Sequence, residues 1–549
     1  MPDAAPPTST PAVEHPHRHL PLHTRVGWGL GGIADNFMAN TLFVLGMVIY
    51  VTAFKMPAGL AGLALSIPRF MDAITDPLVG NLSDNLRTRF GRRRPMIAFG
   101  AIGSAVLLPL MWFPPHLDTV AVQPWGVFDD WRVLSNWWTF AYNGPFWFLA
   151  IVGSVYFIFY TLFMVPYTAL GFELTDDYDE RTRVLAWRMY MGLAASMTVP
   201  ALYWLCRLDV FGEGVAGEIS GTRWVTLGIA AVVLVTGLIP VFTTRERPEA
   251  QVQETTPIFR SVFETLTNVP FLILFIAYIA VIMGLFTAGT IGTFALIYYV
   301  FSEAASVDIA KDHAALLGMV AGVLAALTSY GSMCIARSVS SRTGKRPAML
   351  LGLGLMLLGT LSIWVLYNPA AAINDAGFLG SRGLAAAAEL VGGFFVADFK
   401  ADPESLKTGV LLATFVMALG GQGCWLMIDS MTADICDEDE LRTGKRREGM
   451  FGAAQGFGRK IAFAITVLVG GYLLQWIGFD PEAAEAAGGV SDAVGTRMLL
   501  TLILCQGGGL VIALAVFFFY PITRARAEAT RDALEARRGV AELPAAKPD

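Results

Sequence analysis

Long uninterrupted apolar stretches recur along the whole chain and restrict its fold more than any other feature. Runs such as AVVLVTGLIPVF and LLGLGLMLLGTLSIWVL are continuous, whereas the strands of a membrane barrel alternate in polarity. Each stretch has about twenty residues or more, enough to cross ~30 Å of hydrocarbon as a helix. Only 15% of the 549 residues are charged, against about one quarter in soluble domains. The sequence therefore predicts an all-α membrane protein.

Twelve transmembrane helices are expected. Their predicted ranges are 26–54, 57–82, 95–113, 144–171, 186–206, 222–243, 270–301, 314–336, 346–367, 408–434, 449–477 and 497–520.

Basic residues are concentrated in the loops after even-numbered spans. These loops contain Arg87, Arg89, Arg92, Arg93 and Arg94 after span 2, Arg337, Arg342, Lys345 and Arg346 after span 8, and Arg442, Lys445, Arg446 and Arg447 after span 10. The loops after spans 3 and 7 are poor by comparison, with Arg132 and Lys311 alone. Because basic loops stay in the cytoplasm, we expect both termini there, in a protein of the plasma membrane, most simply a bacterial inner membrane.

The N-terminal segment and the cysteines do not indicate other functions. Residues 1–24 have no apolar core, so a cleavable signal peptide is not predicted and the first span is expected to target the chain. The five cysteines lack metal-ligand spacing and are interpreted as packing residues. We expect no cofactor and no nucleic-acid partner; membrane lipid is the expected surrounding.

Two similar basic segments lie half a chain apart and indicate an internal duplication. SDNLRTRFGRRRPMI at 83–97 and ARSVSSRTGKRPAML at 336–350 each follow the second span of a six-span half. Such duplication is typical of transporters with a site between two bundles. The predicted organisation is a tail at 1–24, a six-helix bundle at 25–243, a linker at 244–269, a second bundle at 270–520 and a tail at 521–549.

Span 2 contains the densest group of charges within the expected membrane region. In PRFMDAITDPLVGNLSD, Asp72 and Asp76 lie four residues apart on one helix face, and Arg69 lies near them. Charges inside a span are costly and usually functional. Two carboxylates in one cavity can coordinate a hard cation such as Na⁺ or share a proton. A coupling site is predicted here; alternatively, Arg69 neutralises one Asp and the other caps a helix.

Spans 11, 10 and 1 contribute further polar candidates. Lys460 of span 11 is expected to face the bundle interior and hold the Asp pair when no cation is bound. In span 10, Trp425 is either a stacking surface for a sugar or a core residue, and Asp429 is a candidate acceptor of sugar hydroxyls or a proton. Asp35 of span 1 is a hydroxyl acceptor or a cap. The long loops 114–143 and 368–406 are not assigned to the site.

Several of these segments resemble the glycoside–pentoside–hexuronide:cation symporter family, which includes melibiose permease, within the major facilitator superfamily. The resemblance spans nearly the whole chain and is carried by RFMDAITDPLVG with RTRFGRRRP, by VPYTALGFELTDDYDERTRVLAWR, and by ADICDEDELRTGKRREGMF leading to Lys460. It implies two six-helix bundles and cation-coupled sugar transport.

The resemblance also implies roles for individual residues. The family's cation site corresponds to Asp72, Asp76 and Thr161, with Lys460 as its lysine. The family's span-5 Arg matches Arg188 and its span-10 Trp matches Trp425. With Met164 and the charged residues Asp35, Arg69 and Asp429 they make up the predicted substrate-binding set. Met164 replaces a sugar-binding acid of the family, and the family's span-1 acid aligns nearer Phe37. The coupling site is therefore expected to be kept and the sugar specificity changed.

The expected function is secondary active symport of a sugar or glycoside with Na⁺ or H⁺ by alternating access. Cytoplasmic gating is expected from Asp84, Arg92, Arg93, Lys345 and Arg346 with the acidic runs 173–180 and 434–440, unless these are only solvated charges. A proton-coupled exporter of another small molecule is the rival within transport. A membrane sensor is less expected, and so is an enzyme, because no nucleophile–base or metal-ligand group stands at a span end.

Overall fold

The structure, a computed structural model, describes residues 20–114, 144–175, 178–244, 246, 265–374, 399–444 and 447–537, with positions 385, 386, 388, 389, 391–393 and 396. All regular elements in this part of the chain are helices. The side chain of Asp84, most of the N-terminal tail and linker, and the loop at 115–143 lie outside the described residues.

Thirteen helices are labelled here. They are α1 Leu22–Thr52, α2 Ala58–Asn85, α3 Arg94–Leu110, α4 Gly144–Glu173, α5 Tyr178–Thr198, α6 Gly214–Thr243, α7 Val269–Ala295, α8 Val307–Thr343, α9 Lys345–Leu366, α10 Thr408–Thr443, α11 Glu448–Ile477, α12 Asp492–Phe517 and α13 Arg524–Arg537. A 3-10 turn at Val199–Ala201 joins α5 to a short helix, Leu202–Cys206, and a π-helical turn at Leu296–Val300 extends α7.

Local sequence signals account for where several helices begin and end. The Asn268 side chain accepts a hydrogen bond from the backbone N–H of Phe271 and caps α7, and Ser306 caps α8 in the same way. Gly344, with a φ of 101°, separates α8 from α9. Since L-residues rarely adopt positive φ, glycine allows the chain to turn there within one residue.

Ten of the described helices are long and apolar enough to cross a membrane. The other two expected spans also coincide with helices, but α3 has only 17 residues, and α2 carries Arg69, Asp72 and Asp76. The all-helical membrane fold is thus confirmed, and the count of twelve spans remains a prediction.

Several helices are longer than their apolar cores. α8 begins at Val307 where the sequence predicted 314, and α10 continues to Thr443 where it predicted 434. Hydropathy locates the apolar part of a helix but not its polar ends. Lys311, which we expected in a loop, is therefore corrected to a buried residue of α8.

The helices pack mainly within two sets, which we call the first half (α1–α6) and the second half (α7–α12). In the first half α1 packs on α5 and α6, and α4 on α2 and α3; in the second half α7 packs on α12 and α11, and α10 on α8 and α9. The two halves meet mainly through α2 and α11. The predicted domain limits remain a prediction, because most of the linker is not described.

The halves approach each other closely at one end only. The end with the loops after α2 and α8 is called the basic end. At the opposite end, a Cβ atom on Gly62 of α2 would lie 2.7 Å from the Val467 carbonyl oxygen of α11. Toward the basic end of α11, a Cβ on Gly449, Gly452 or Gly456 would have no atom within 4 Å. The interface is therefore tight at the opposite end and open toward the basic end.

Candidate functional site

A cluster of charged residues joins the two halves at the middle of α2 and α11. The Lys460 Nζ atom lies 2.9 Å from Asp72 Oδ1 and 2.6 Å from Asp76 Oδ2. The helical spacing of the two aspartates directs both carboxylates to the same lysine. Asp72 is 2% exposed, so its charge depends on these partners for stabilisation. The structure thus brings together three residues that the sequence singled out.

Threonine hydroxyls complete this cluster. Thr161 of α4 donates a hydrogen bond of 3.0 Å to Asp72 Oδ1, and its hydroxyl lies 3.2 Å from that of Thr75. The other oxygen of the Asp76 carboxylate, Oδ1, is buried and makes no hydrogen bond with any described residue. Carboxylate and hydroxyl oxygens are the ligands that hard cations prefer. We call Asp72, Asp76, Thr75, Thr161 and Lys460 the central cluster.

The sequence did not predict Thr75 as part of the site. Its signal was present, since Thr75 follows Asp72 by three residues and therefore shares its helix face. Only the position of α4 shows which hydroxyl it meets.

Arg69 does not form an ion pair with Asp72 or Asp76 among the described residues, which was the alternative that the sequence left open. Its guanidinium donates a 2.6 Å hydrogen bond to the Ala39 carbonyl oxygen of α1 and lies 4.5 Å from the Phe157 ring centroid. The cation within salt-bridge distance of both aspartates is Lys460. Arg69 therefore ties α2 to α1 and α4, beside the central cluster.

A second polar group lies within the first half, nearer the basic end of α1. Arg188 of α5 lies 2.9 Å from Asp35 Oδ2, and the Tyr160 hydroxyl donates to Asp35 Oδ1 at 3.0 Å. The Arg188 guanidinium also lies 5.3 Å from the Tyr167 ring centroid. Two predicted substrate-binding residues are thus direct partners. Phe37, the nearer match to the family acid, is 9% exposed and belongs to the apolar core.

The two polar groups are connected through consecutive residues of α4. Tyr160 bonds to Asp35, while Thr161 bonds to Asp72. A shift of this helical turn would therefore move a donor in both groups at once.

The remaining predicted substrate residues are more dispersed. Met164 lies one turn after Thr161 on α4 and is partly buried. Trp425 of α10 packs edge to face on Tyr278 of α7, with ring centroids 5.6 Å apart, and Asp429 follows one turn later and is exposed. Among the described residues, none of these three forms an ion pair or hydrogen bond with Asp35 or Arg188.

The predicted gating residues pair within their own halves. Arg92 and Arg93 of the loop after α2 bind Glu173 of α4 at 2.6 and 2.8 Å. Lys345 binds Asp434 of α10 at 2.7 Å. Arg346 donates to the Phe518 carbonyl oxygen. These contacts lie inside each half, and their role in gating remains a prediction.

The sequence missed a second charged cluster, at the opposite end. Its buried part is Arg207 after α5, Glu218 of α6 and Lys311 of α8, with Lys311 Nζ 3.5 Å and Arg207 Nη1 3.2 Å from Glu218 Oε2. Its rim is formed by Lys55, Asp308, Asp312 and Glu485. We call this group the end cluster. The sequence feature that could have indicated this cluster is the position of Glu218 and Lys311 a few residues before two predicted spans.

A membrane protein whose two helical halves meet around a buried acid–lysine cluster has the architecture of a secondary transporter. The sequence model of the MFS/sugar transport protein family matches residues 27–524. The chain belongs to this family.

Individual relatives agree with this assignment. The chain is 27% identical to the symporter sll1374 of Synechocystis sp., over 94% of this chain and 97% of the relative. It is 24% identical to the putative glycoside/cation symporter YagG of Escherichia coli, over 93% and 94% of the two chains. The crystal structure of the nucleoside transporter NupG superposes with a TM-score of 0.55 at 13% identity, covering 91% of this chain and 100% of that one. That structure supports the major facilitator fold.

Proposed function

We propose that this protein imports a sugar or glycoside together with a cation, Na⁺ or H⁺, by alternating access. The observation that carries the proposal is the position of Lys460 between Asp72 and Asp76, with the Thr161 hydroxyl on the same carboxylate. Family membership and the glycoside/cation symporter among its relatives support the substrate class.

In this proposal the lysine and the coupling cation compete for the same oxygens. Two carboxylates face one ammonium, so the pair keeps an excess negative charge that a cation would neutralise. When Na⁺ binds to Asp72, Asp76 and Thr161, or a proton binds to one Asp, Lys460 is released from the acids. The link between α2 and α11 then weakens, which allows the halves to move.

The polar group at Asp35 is proposed to bind the sugar. Asp35 can accept a sugar hydroxyl and Arg188 can donate to one once their mutual ion pair opens. Because Tyr160 and Thr161 are consecutive, cation binding reorients the turn that also holds Asp35. Coupling is then reciprocal, and each ligand tightens the other by the same factor. Arg69 positions α2 beside the site; Met164, Trp425 and Asp429 remain candidate contacts for the remainder of the substrate.

We further propose that the protein resides in the bacterial inner membrane with its basic end and both termini in the cytoplasm. The structure would then be closed toward the outside and open toward the cytoplasm.

Transport into proteoliposomes tests this proposal. The purified protein is reconstituted, and uptake of a panel of radiolabelled monosaccharides and glycosides is measured under an imposed Na⁺ gradient, an imposed proton gradient, and neither. We expect accumulation of at least one sugar above its external concentration with one of the gradients. Uptake that only equilibrates under both gradients would contradict symport, and outward pumping of a non-sugar would favour the exporter.

A further inference from the structure

A cavity of about 130 Å³ lies between the halves, beside Arg69 and toward the opposite end. The first half lines it with apolar residues such as Leu42, Phe43 and Met47, and the second half with Gly289, Thr290 and Thr293 of α7. A cavity of about 150 Å³ with an apolar lining accommodates a benzene ring. The cavity therefore has the size and chemistry for a compact apolar group that carries one polar atom.

Resting on the proposed function, we propose that this cavity is the subsite for the non-sugar part of a glycoside. Leu42 lies seven residues after Asp35 on α1, or about 10 Å along the helix. A sugar ring at Asp35 and Arg188 would place its substituent near the cavity. The apolar lining favours an aryl or alkyl group there. The Thr293 hydroxyl suits a polar atom on it, while the Thr290 hydroxyl donates to the Phe286 carbonyl oxygen and can accept a hydrogen bond.

Gly289 offers a selective test. A Cβ atom at this position meets no atom within 4 Å, and the position lines the cavity, so a longer side chain would fill the subsite without a backbone clash. Gly354 of α9 has the same open surroundings but does not line the cavity, which makes Gly354→Leu the matched control. Binding is measured for phenyl and methyl glycosides of glucose, galactose and xylose.

We expect Gly289→Leu to weaken binding of the phenyl glycosides roughly tenfold or more while the methyl glycosides and Gly354→Leu change little. If methyl and phenyl glycosides bind and both are affected equally, the subsite is wrong although the proposed function stands. If none of these glycosides binds to the wild type, the subsite is overturned, whereas the proposed function is decided by the uptake panel. Gly289→Ala, which fits the open space, shows whether the position tolerates replacement.

A separate observation concerns the end cluster, which lies directly beyond this cavity. The hydroxyl of Thr52, one turn after the cavity residue Val48, lies 3.1 Å from Glu218 Oε1 and shares its proton with the Val48 carbonyl oxygen at 2.8 Å. Lys311 is 0% exposed and reaches Glu218 from the other half. Arg207 of the first half binds Asp312 and the Asp308 carbonyl oxygen, and Lys55 of the first half binds Glu485. Ion pairs thus cross the interface in both directions and cover the cavity.

We propose that the end cluster is the gate that closes the substrate path toward the outside. The buried charges of the end cluster also have partners within their own half, so the two halves can separate there at a low cost in free energy. When the halves part, Glu218 keeps Arg207, Thr52 and Tyr203, and Lys311 keeps Glu485 and Asp308, all within their own half. No buried charge would then be left without a partner, which is the usual penalty for breaking a buried pair.

Chemical labelling tests the gate without any substrate. A cysteine placed in the cavity by Thr293→Cys is exposed to a membrane-impermeant maleimide in right-side-out and inside-out vesicles, with the wild-type chain as blank. Lys311→Gln is added to weaken the gate. Lys407→Gln, which removes a lysine at the same end whose Nζ atom lies over the Phe301 ring of its own half, is the matched control.

We expect slow labelling from the outside in the Thr293→Cys protein, at least about tenfold faster labelling after Lys311→Gln, and no change after Lys407→Gln. The buried Cys424 should stay unlabelled, which shows that the variant is folded. Equal outside labelling with and without Lys311→Gln would overturn the gate. Fast labelling only from the cytoplasmic face in every variant would also contradict it. Neither result bears on the substrate class of the proposed function.

Discussion

The central cluster and the end cluster each join the two halves through a lysine of the second half and a carboxylate of the first. In the central cluster two aspartates share Lys460, Asp76 is partly exposed, and one of its oxygens has no partner among the described residues. In the end cluster, Glu218 is fully enclosed by Thr52, Tyr203, Arg207 and Lys311. In the central cluster two carboxylates share one ammonium, whereas in the buried part of the end cluster one carboxylate has two cations.

This difference distinguishes two roles of buried charges, ion coupling and the positioning of partner residues. A carboxylate with a spare oxygen and a single cation can exchange that cation for another, which suits ion coupling. A carboxylate with four partners gains little from a new ion and acts through the geometry of its partners. We therefore expect cation binding to depend on the central cluster and not on the end cluster.

The largest effect is expected from Asp72→Asn. Because Asp72 binds both Lys460 and Thr161, its neutralisation removes the excess negative charge and the coupling cation with it. Accumulation against a gradient should be lost, and substrate binding should no longer respond to Na⁺ or pH, although some binding survives. Equilibrium binding with and without Na⁺, across pH, is the measurement. Asp434→Asn, which breaks a pair within one half, is the control; wild-type cation dependence in Asp72→Asn would refute the coupling role.

Lys460→Ala should have the next largest effect. Leaving two carboxylates without their ammonium typically costs ~3–5 kcal/mol, so the melting temperature should fall and transport should be crippled. If the cation occupies the same oxygens, Na⁺ or acid should restore more stability in this variant than in the wild type. Thermal unfolding in detergent with and without Na⁺ measures this. A well-folded variant that transports normally would exclude Lys460 from the circuit.

A smaller and more selective effect is expected from Thr161→Val compared with Thr52→Val. Thr161 donates a hydrogen bond to the buried Asp72, and Thr52 shares its proton between the buried Glu218 and the Val48 carbonyl oxygen. Hydrogen bonds to charged groups are worth about 1.5–3 kcal/mol. Thr161→Val should weaken cation binding by roughly tenfold or more, while Thr52→Val should leave the cation affinity unchanged. Similar loss in both would mean that the clusters are not functionally distinct.

Much of the fold followed from the sequence because its signals are local. Apolar length located the helices, and charge cost singled out Asp72, Asp76 and Lys460. The end cluster could not be predicted in the same way. Glu218 and Lys311 lie on polar helix ends beyond the apolar windows, and their partnership depends on how α5, α6 and α8 meet.

The polar group around Asp35 shows the same limit of prediction from sequence. Charge inside a span indicated Asp35 and the family resemblance indicated Arg188, but only the packing of α1 against α5 makes them partners, with Tyr160 as the third member. Spacing along one helix can be read from sequence, whereas contacts between helices depend on the whole fold. The roles of these residues remain predictions.

The smallest effect is expected from Glu485→Gln at the rim of the end cluster. Glu485 follows α11, outside the membrane spans, and faces Lys55, Lys311 and the buried Tyr298. Partial burial raises its pKa, but the hydrogen bonds and charges of Lys55 and Lys311 outweigh burial, so its pKa in the folded protein lies below the ordinary value. Because Glu485 and Lys55 are partly exposed, solvent screens their pair, and we expect it to contribute at most about 1 kcal/mol.

The lowered pKa of Glu485 determines the pH range in which its contribution to stability changes. A carboxylate with a lowered folded pKa stabilises fully above its unfolded value, about 4.3, and loses its contribution as the pH falls through the folded value. The stability difference between wild type and Glu485→Gln should therefore be small and constant from pH 8 to about 5.5 and disappear only in stronger acid. Thermal unfolding of both proteins across this range measures the difference. A difference that changes between pH 8 and about 6 would mean that another group titrates in the end cluster, which would remove its contrast with a proton-sensitive central cluster.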